Sequence, residues 1–148
     1  MEAILFIGLP GSGKSSFYKE RFFNSHVRIS LDLLKTRHRE NRLLETCLDT
    51  EQRFVIDNTN PTKAERSRFI ERLASVQVRY KLIGYYFESK VEDCLNRNAQ
   101  RSERVPDVAI LSAAKKLELP SMNEGFDELF YVRLTETGFV VEEWKNEI

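Results

Sequence analysis

Apolar residues in this chain fall in short runs, separated by polar stretches with helical spacing. Ala3-Ile4-Leu5-Phe6-Ile7 is unbroken, which predicts a parallel strand covered on both faces. A helix is expected from about Lys14 to Phe23, a second strand over Val27 to Ser30, and mostly helix from Leu31 to Leu48. Phe54-Val55-Ile56 marks a third strand. Thr62 and Glu65 have capping-box spacing, and the helix they open carries Phe69, Ile70, Leu73 and Ala74 on one face. Val78 to Phe87 reads as a fourth strand. Ser89 to Glu92 reads as a second capping box, with its helix running toward Arg101, and Pro106 as the start of another helix to about Glu118. Leu129 to Leu134 and Phe139 to Trp144 flank Thr135-Glu136-Thr137-Gly138 as a C-terminal hairpin. Alternation of strand and helix predicts an α/β fold with a mainly parallel sheet flanked by helices.

The bulk properties narrow this picture. With 148 residues, 41% hydrophobic and 31% charged, the chain is expected to form one globular domain, residues 1–148. Its 23 basic and 23 acidic side chains cancel, which argues against a broad nucleic-acid coat and leaves room for a local basic groove. Cys47 and Cys94 sit beside apolar residues and read as buried, reduced thiols. No run is long enough for a bilayer and no basic leader opens the chain, so the expectation is a cytoplasmic protein.

Gly8, Gly13, Lys14 and Ser15 complete the spacing G-x-x-x-x-G-K-[ST] between a strand and a helix. Glycines let the backbone curl so that N–H groups from Gly11 to Ser16 face an anion. The helix that follows adds its positive end. Lys14 reaches outer phosphates and the Ser15 hydroxyl ligates Mg²⁺, so ATP and Mg²⁺ are the expected ligands.

Asp32 lies just past the second strand, at the end where open α/β sheets bind ligands. There it can act as general base toward an acceptor hydroxyl, or serve only as a helix-start acid. Lys35, Arg39 and Arg42 fall at i, i+4 and i+7 on one helical face, either as a track for a phosphate-bearing acceptor or as a solvated surface; Arg37 and His38 add charge nearby. Asp57 ends the third strand and can hold a metal-bound water or orient a basic side chain. Asn58, Thr59 and Asn60 can instead be plain turn formers, with a site role and a turn role evenly open for Asn58 and Thr59. Arg97, Arg101 and Arg104 recur at helical spacing before Val105-Pro106 and predict a helical lid over about residues 97–118, whose guanidinium groups suit phosphate oxygens.

Four ordered blocks carry a family resemblance: Gly8 to Phe17, Ile29-Ser30-Leu31-Asp32, Val55-Ile56-Asp57-Asn58-Thr59-Asn60-Pro61, and Arg97 to Arg101 followed by Val105-Pro106. With them the chain resembles the kinase domain of 5′-hydroxyl polynucleotide kinases of phage, bacterial and mammalian type. The stretch Leu119 to Phe126 is also similar to the mammalian domain. The resemblance implies a P-loop NTPase fold of the nucleotide-kinase type. It implies Asp32 as base, Lys14 and Ser15 on phosphate and Mg²⁺, Arg97 and Arg101 as lid arginines on ATP, and Asp57 at the floor of the acceptor site. The position where phage and bacterial members bind the acceptor's phosphate with arginine is Lys35 here, which keeps the charge and loses the fork.

The expected activity is ATP-dependent phosphorylation of a 5′-hydroxyl end of RNA or DNA, in a nucleic-acid repair setting. Asp32, Lys14 and Arg101 would be catalytic, and Lys35, Arg39 and Asp57 would hold the acceptor. Two alternatives stand beside it: a kinase of a small hydroxyl compound (nucleoside, sugar or antibiotic), and a nucleotide-dependent binding module.

Overall fold

The computed structural model describes residues 1–145. One sheet of six strands organises them, in the order β2-β3-β1-β4-β5-β6. These strands are β1 (Glu2–Ile7), β2 (Val27–Ile29), β3 (Phe54–Ile56), β4 (Lys81–Phe87), β5 (Glu128–Thr135) and β6 (Gly138–Glu143). All neighbours pair in parallel except β5 and β6, which form the expected antiparallel hairpin with Thr135 opposite Gly138. The apolar run of β1 sits between β3 and β4, and its residues from Ala3 to Ile7 are at most 1% exposed. An unbroken apolar strand needs cover on both faces, and the central position supplies it.

Helices cover the sheet: α1 (Lys14–Arg21), α2 (Leu31–Leu34), α3 (Arg37–Asp49), α4 (Lys63–Ala74), α5 (Val91–Ala99) and α6 (Asp107–Lys116). On one face α3 and α4 send Leu44, Cys47, Leu48 and Phe69 onto Leu5, Ile7 and Ile56. On the other, α1 is mostly polar and docks through Phe17 and Tyr18. Phe17 meets Phe87 edge-on at 5.4 Å between centroids, and Phe6 meets Phe87 likewise at 5.0 Å. Such geometry adds to the burial of large rings and fixes the helix that carries Lys14. A third cluster, Leu9, Cys94 and Ile110, ties the loop after β1 to α5 and α6. Both cysteines are buried and free.

Several boundaries differ from the pattern, each for a local reason. The stretch from Leu31 is broken at Lys35, whose φ of 73° ends α2, and Thr36 then caps α3 by accepting the Arg39 N–H. Lys35 and Arg39 therefore do not share a helical face. Helix α5 stops at Ala99, so Arg101 and Arg104 lie on the connection to α6 and the spacing of the three arginines is not that of one helix. Ser89 does not cap α5, where the cap position is Lys90. Its hydroxyl accepts the Leu9 N–H at 3.2 Å and donates to the Phe87 carbonyl at 2.8 Å. Thr62 does cap α4, at 3.1 Å from the Glu65 N–H. Ala74, expected on the buried face, is exposed at the end of α4. A reciprocal capping box occurs instead at Ser121 and Glu124, in the short 3-10 turn Met122–Glu124.

Candidate active site

The carboxyl ends of the parallel strands open onto a cavity of about 1350 Å³. Its floor is the loop between β1 and α1. Gly11 and Gly13 take φ values of 84° and 100°, in the left-handed region that glycine enters at least cost. Gly11 also passes so close to α5 that a Cβ there would lie 2.6 Å from the Cys94 carbonyl oxygen. Helix α1 starts directly after Gly13 with no acidic residue in its first turn, leaving its positive end for an anion. Ser12 is packed beneath the loop with its hydroxyl buried and without a hydrogen-bond partner among the described residues, and its side chain does not line the cavity.

Lys14 is folded back over this loop, donating to the carbonyls of Gly8 at 2.8 Å and Leu9 at 2.9 Å. Burial pushes its pKa down from 10.5 to about 8, and the negative charges of Asp57 and Asp32 only partly oppose this. Arg97 donates to the Gly11 carbonyl at 3.2 Å, and Arg101 lines the cavity from the connection after α5. Arg104 also lines it but is paired with Asp107 at 3.2 Å.

Asp57 leaves the end of β3 with its side chain only 2% exposed. Its Oδ2 accepts the Ser15 hydroxyl at 3.1 Å and Nε of Arg28 at 2.8 Å, while a second Arg28 nitrogen donates to Ser15 Oγ at 3.1 Å. The two residues expected to serve a metal are thus adjacent. A hydroxyl and a carboxylate oxygen at this separation fit Mg²⁺, which takes few protein ligands and fills the rest with water and phosphate. Among the described residues no cluster of three or more His, Cys, Asp or Glu side chains forms a closed metal cage. Sequence reasoning missed Arg28. The signal was a charge between Val27 and Ile29 in a strand of a mainly parallel sheet, where burial demands a partner.

On the acceptor side, Asp32 and Lys35 are exposed and line the same cavity. Among the described residues no side chain hydrogen-bonds the Asp32 carboxylate. Arg39 is not part of the wall: its guanidinium turns back to the Leu34 carbonyl at 3.3 Å, because the break at Lys35 rotates α3 away from α2. Arg37, which sequence spacing did not single out, lines the cavity instead. Of the remaining candidates, Gly11, Gly13, Lys14, Ser15, Ser16, Asp57, Arg97 and Arg101 are all on its wall.

A family model described as an AAA domain matches residues 4–120. The chain belongs to that family. This AAA domain is 28% identical over 131 residues to a bifunctional polynucleotide phosphatase/kinase of Schizosaccharomyces pombe. It is 32% identical over 136 residues to a provisionally named protein of the same description in Acanthamoeba polyphaga mimivirus. The alignments take in 84% and 86% of the chain but 32% of each relative, so the AAA domain spans about a third of their length. Among solved structures it superposes on a sugar kinase from Janibacter with a TM-score of 0.69 at 13% identity, covering 90% of this chain and 85% of that one. It matches Chaetomium thermophilum Kti12 in complex with ADP-AlF3 with a TM-score of 0.60 at 17% identity, covering 91% and 92%. The fold of the AAA domain is accordingly that of P-loop kinases, as the sequence blocks implied.

Proposed function

We propose that this chain transfers the γ-phosphoryl group of ATP to the 5′-hydroxyl end of RNA or DNA. The observation that carries the reading is one open cavity with the glycine-rich loop on its floor and, on its wall, the Asp32 carboxylate, which no side chain among the described residues hydrogen-bonds. Similarity to polynucleotide phosphatase/kinases over most of the chain supports the choice of acceptor.

Loop N–H groups and the start of α1 hold the β- and γ-phosphates, and Lys14 leaves the carbonyls of Gly8 and Leu9 to meet them. Ser15 and Asp57 would hold Mg²⁺, which would supply charge neutralisation for the phosphates. Asp32 takes the proton of the 5′-hydroxyl as its oxygen bonds to the γ-phosphorus and the bond to ADP breaks. Arg101 and Arg97 stabilise the charge spread over the transferring group. Lys35 meets the acceptor's phosphate as a single charge without bidentate geometry.

The test is transfer of γ-labelled phosphate to 5′-hydroxyl oligoribo- and oligodeoxyribonucleotides, beside a panel of nucleosides, sugars and aminoglycosides. Asp32→Ala is expected to lower transfer by about 10²–10⁴-fold and leave ATP affinity within a few-fold. Label entering only the small compounds would establish the small-molecule reading. No transfer to any acceptor, with ATP bound, would establish a nucleotide-dependent binding module.

A further inference from the structure

Glu40 lies in the first turn of α3, and its side chain is only 1% exposed. Burying a carboxylate is costly unless it is paired, and this one is paired on three sides. Asn58 Nδ2 donates to it at 2.7 Å, Arg37 donates to both of its oxygens at 2.9 and 3.1 Å, and Arg68 stands 3.6 Å away. Two of these partners lead to the cavity. Asn58 Oδ1 accepts the N–H of Leu31 at 2.8 Å, and Leu31 begins the four-residue helix α2 that carries Asp32. An amide that gives its N–H to Glu40 must turn its oxygen toward Leu31. Arg37 is about half exposed, uses one nitrogen on Glu40, and keeps its other donors for the cavity it lines.

We propose that Glu40 is a positioning residue with two outputs: through Asn58 it fixes the helix of the general base, and directly it aims Arg37 at the phosphate of a nucleic-acid acceptor. This rests on the reading of Asp32 as base. Arg37 then supplies the guanidinium fork that Lys35 lacks. Helix α2 is too short to hold its own orientation, and Lys35 at its end is in a left-handed conformation. An outside tether on the Leu31 N–H is what keeps Asp32 at one angle to the phosphate loop.

The two outputs separate in steady-state kinetics on a 5′-hydroxyl oligonucleotide, with ATP affinity measured independently by calorimetry. Asn58→Ala is expected to lower kcat at least 10-fold while the acceptor KM and the ATP Kd stay within twofold. Arg37→Gln is expected to do the reverse, raising acceptor KM at least 10-fold with kcat within twofold. Glu40→Ala should show both losses, Glu40→Gln should recover kcat to within threefold of wild type because its carbonyl still receives Asn58, and adding Asn58→Ala to Glu40→Ala should lower kcat no further. If Glu40→Ala does not fold, the opposite signatures of Asn58→Ala and Arg37→Gln still decide. Unchanged kcat in Asn58→Ala, or kcat and ATP affinity falling together in every variant, overturns the proposal. Substantial transfer by Asp32→Ala would instead overturn the base assignment on which it rests.

Discussion

Lys14→Met isolates the cost of holding an ammonium group inside the phosphate loop. In the folded chain burial lowers the Lys14 pKa to about 8, against 10.5 when exposed. A lysine with a depressed folded pKa penalises the fold while it is charged. The penalty is full below pH 8, is relieved as pH rises from there, and is gone above 10.5, because in that window the unfolded chain binds the extra proton. The interval corresponds to about 3 kcal/mol, of which about 2 kcal/mol is recovered between roughly pH 7 and 9.5. In Lys14→Met every other titrating group is retained, so the difference between the two stability profiles reports Lys14 alone. Urea unfolding without nucleotide, at pH steps across that range, should show wild type gaining about 2 kcal/mol on the variant. The two hydrogen bonds to Gly8 and Leu9 carbonyls set the offset between the curves and not their relative slope. Parallel curves would refute the reasoning and mean that Lys14 is well solvated in the loop without nucleotide. A phosphate ligand supplies the missing counter-charge, so ATP binding at pH 8.5 should take up protons, read by calorimetry in buffers of different ionisation enthalpy.

Gly11→Ala places a Cβ 2.6 Å from the Cys94 carbonyl at φ 84°, so it should cost at least about 1–3 kcal/mol and abolish ATP binding; Gly138→Ala, at φ 118° but with open space, should show only a stability loss. Thermal unfolding and nucleotide titration separate the two. Ser89→Ala frees the Leu9 N–H and should weaken ATP binding about 2–10-fold, the equivalent of one hydrogen bond of 0.5–1.5 kcal/mol. Arg66 is fully buried on Glu124 at 2.8 Å and on the Asn60 carbonyl at 2.9 Å. Arg66→Met should lose about 3–5 kcal/mol in chemical denaturation, with much of the loss restored by the further change Glu124→Gln.

The phosphate loop was legible because its chemistry is contiguous: the glycines, Lys14 and Ser15 occupy one stretch, and the strand and helix around them follow from apolar spacing. The placement of Asp32 and Asp57 on the cavity wall was legible because strand ends are where such folds place ligands. What failed was whatever depends on a backbone break or on partners far apart in sequence. Nothing in Leu34-Lys35-Thr36 announces a left-handed lysine, since glycine or asparagine is the usual marker, and the error put Arg39 on the cavity wall in place of Arg37. Ser89-x-x-Glu92 satisfies the capping pattern, yet the Ser89 hydroxyl has a competing partner 80 positions away in Leu9. Asn58 reads evenly as a turn former or a site residue, and it lies at a bend after β3. Its second duty, between Glu40 and Leu31, arises only when β3 brings it beside α2 and α3.

The C-terminal hairpin lies outside the span of the family match, which ends at residue 120, yet Phe139 on β6 rests over Gly13 in the phosphate loop, 3.1 Å from where a Cβ would stand. The same hairpin shields the edge of β4, whose Ile83 to Phe87 all pair with β5. A fragment cut at the limit of family similarity would carry every residue assigned to phosphate transfer and would still turn β4 into a bare, apolar edge, inviting strand-to-strand association. The span matched by the family model is therefore shorter than the span that completes the sheet, and expression trials should be designed to the longer one.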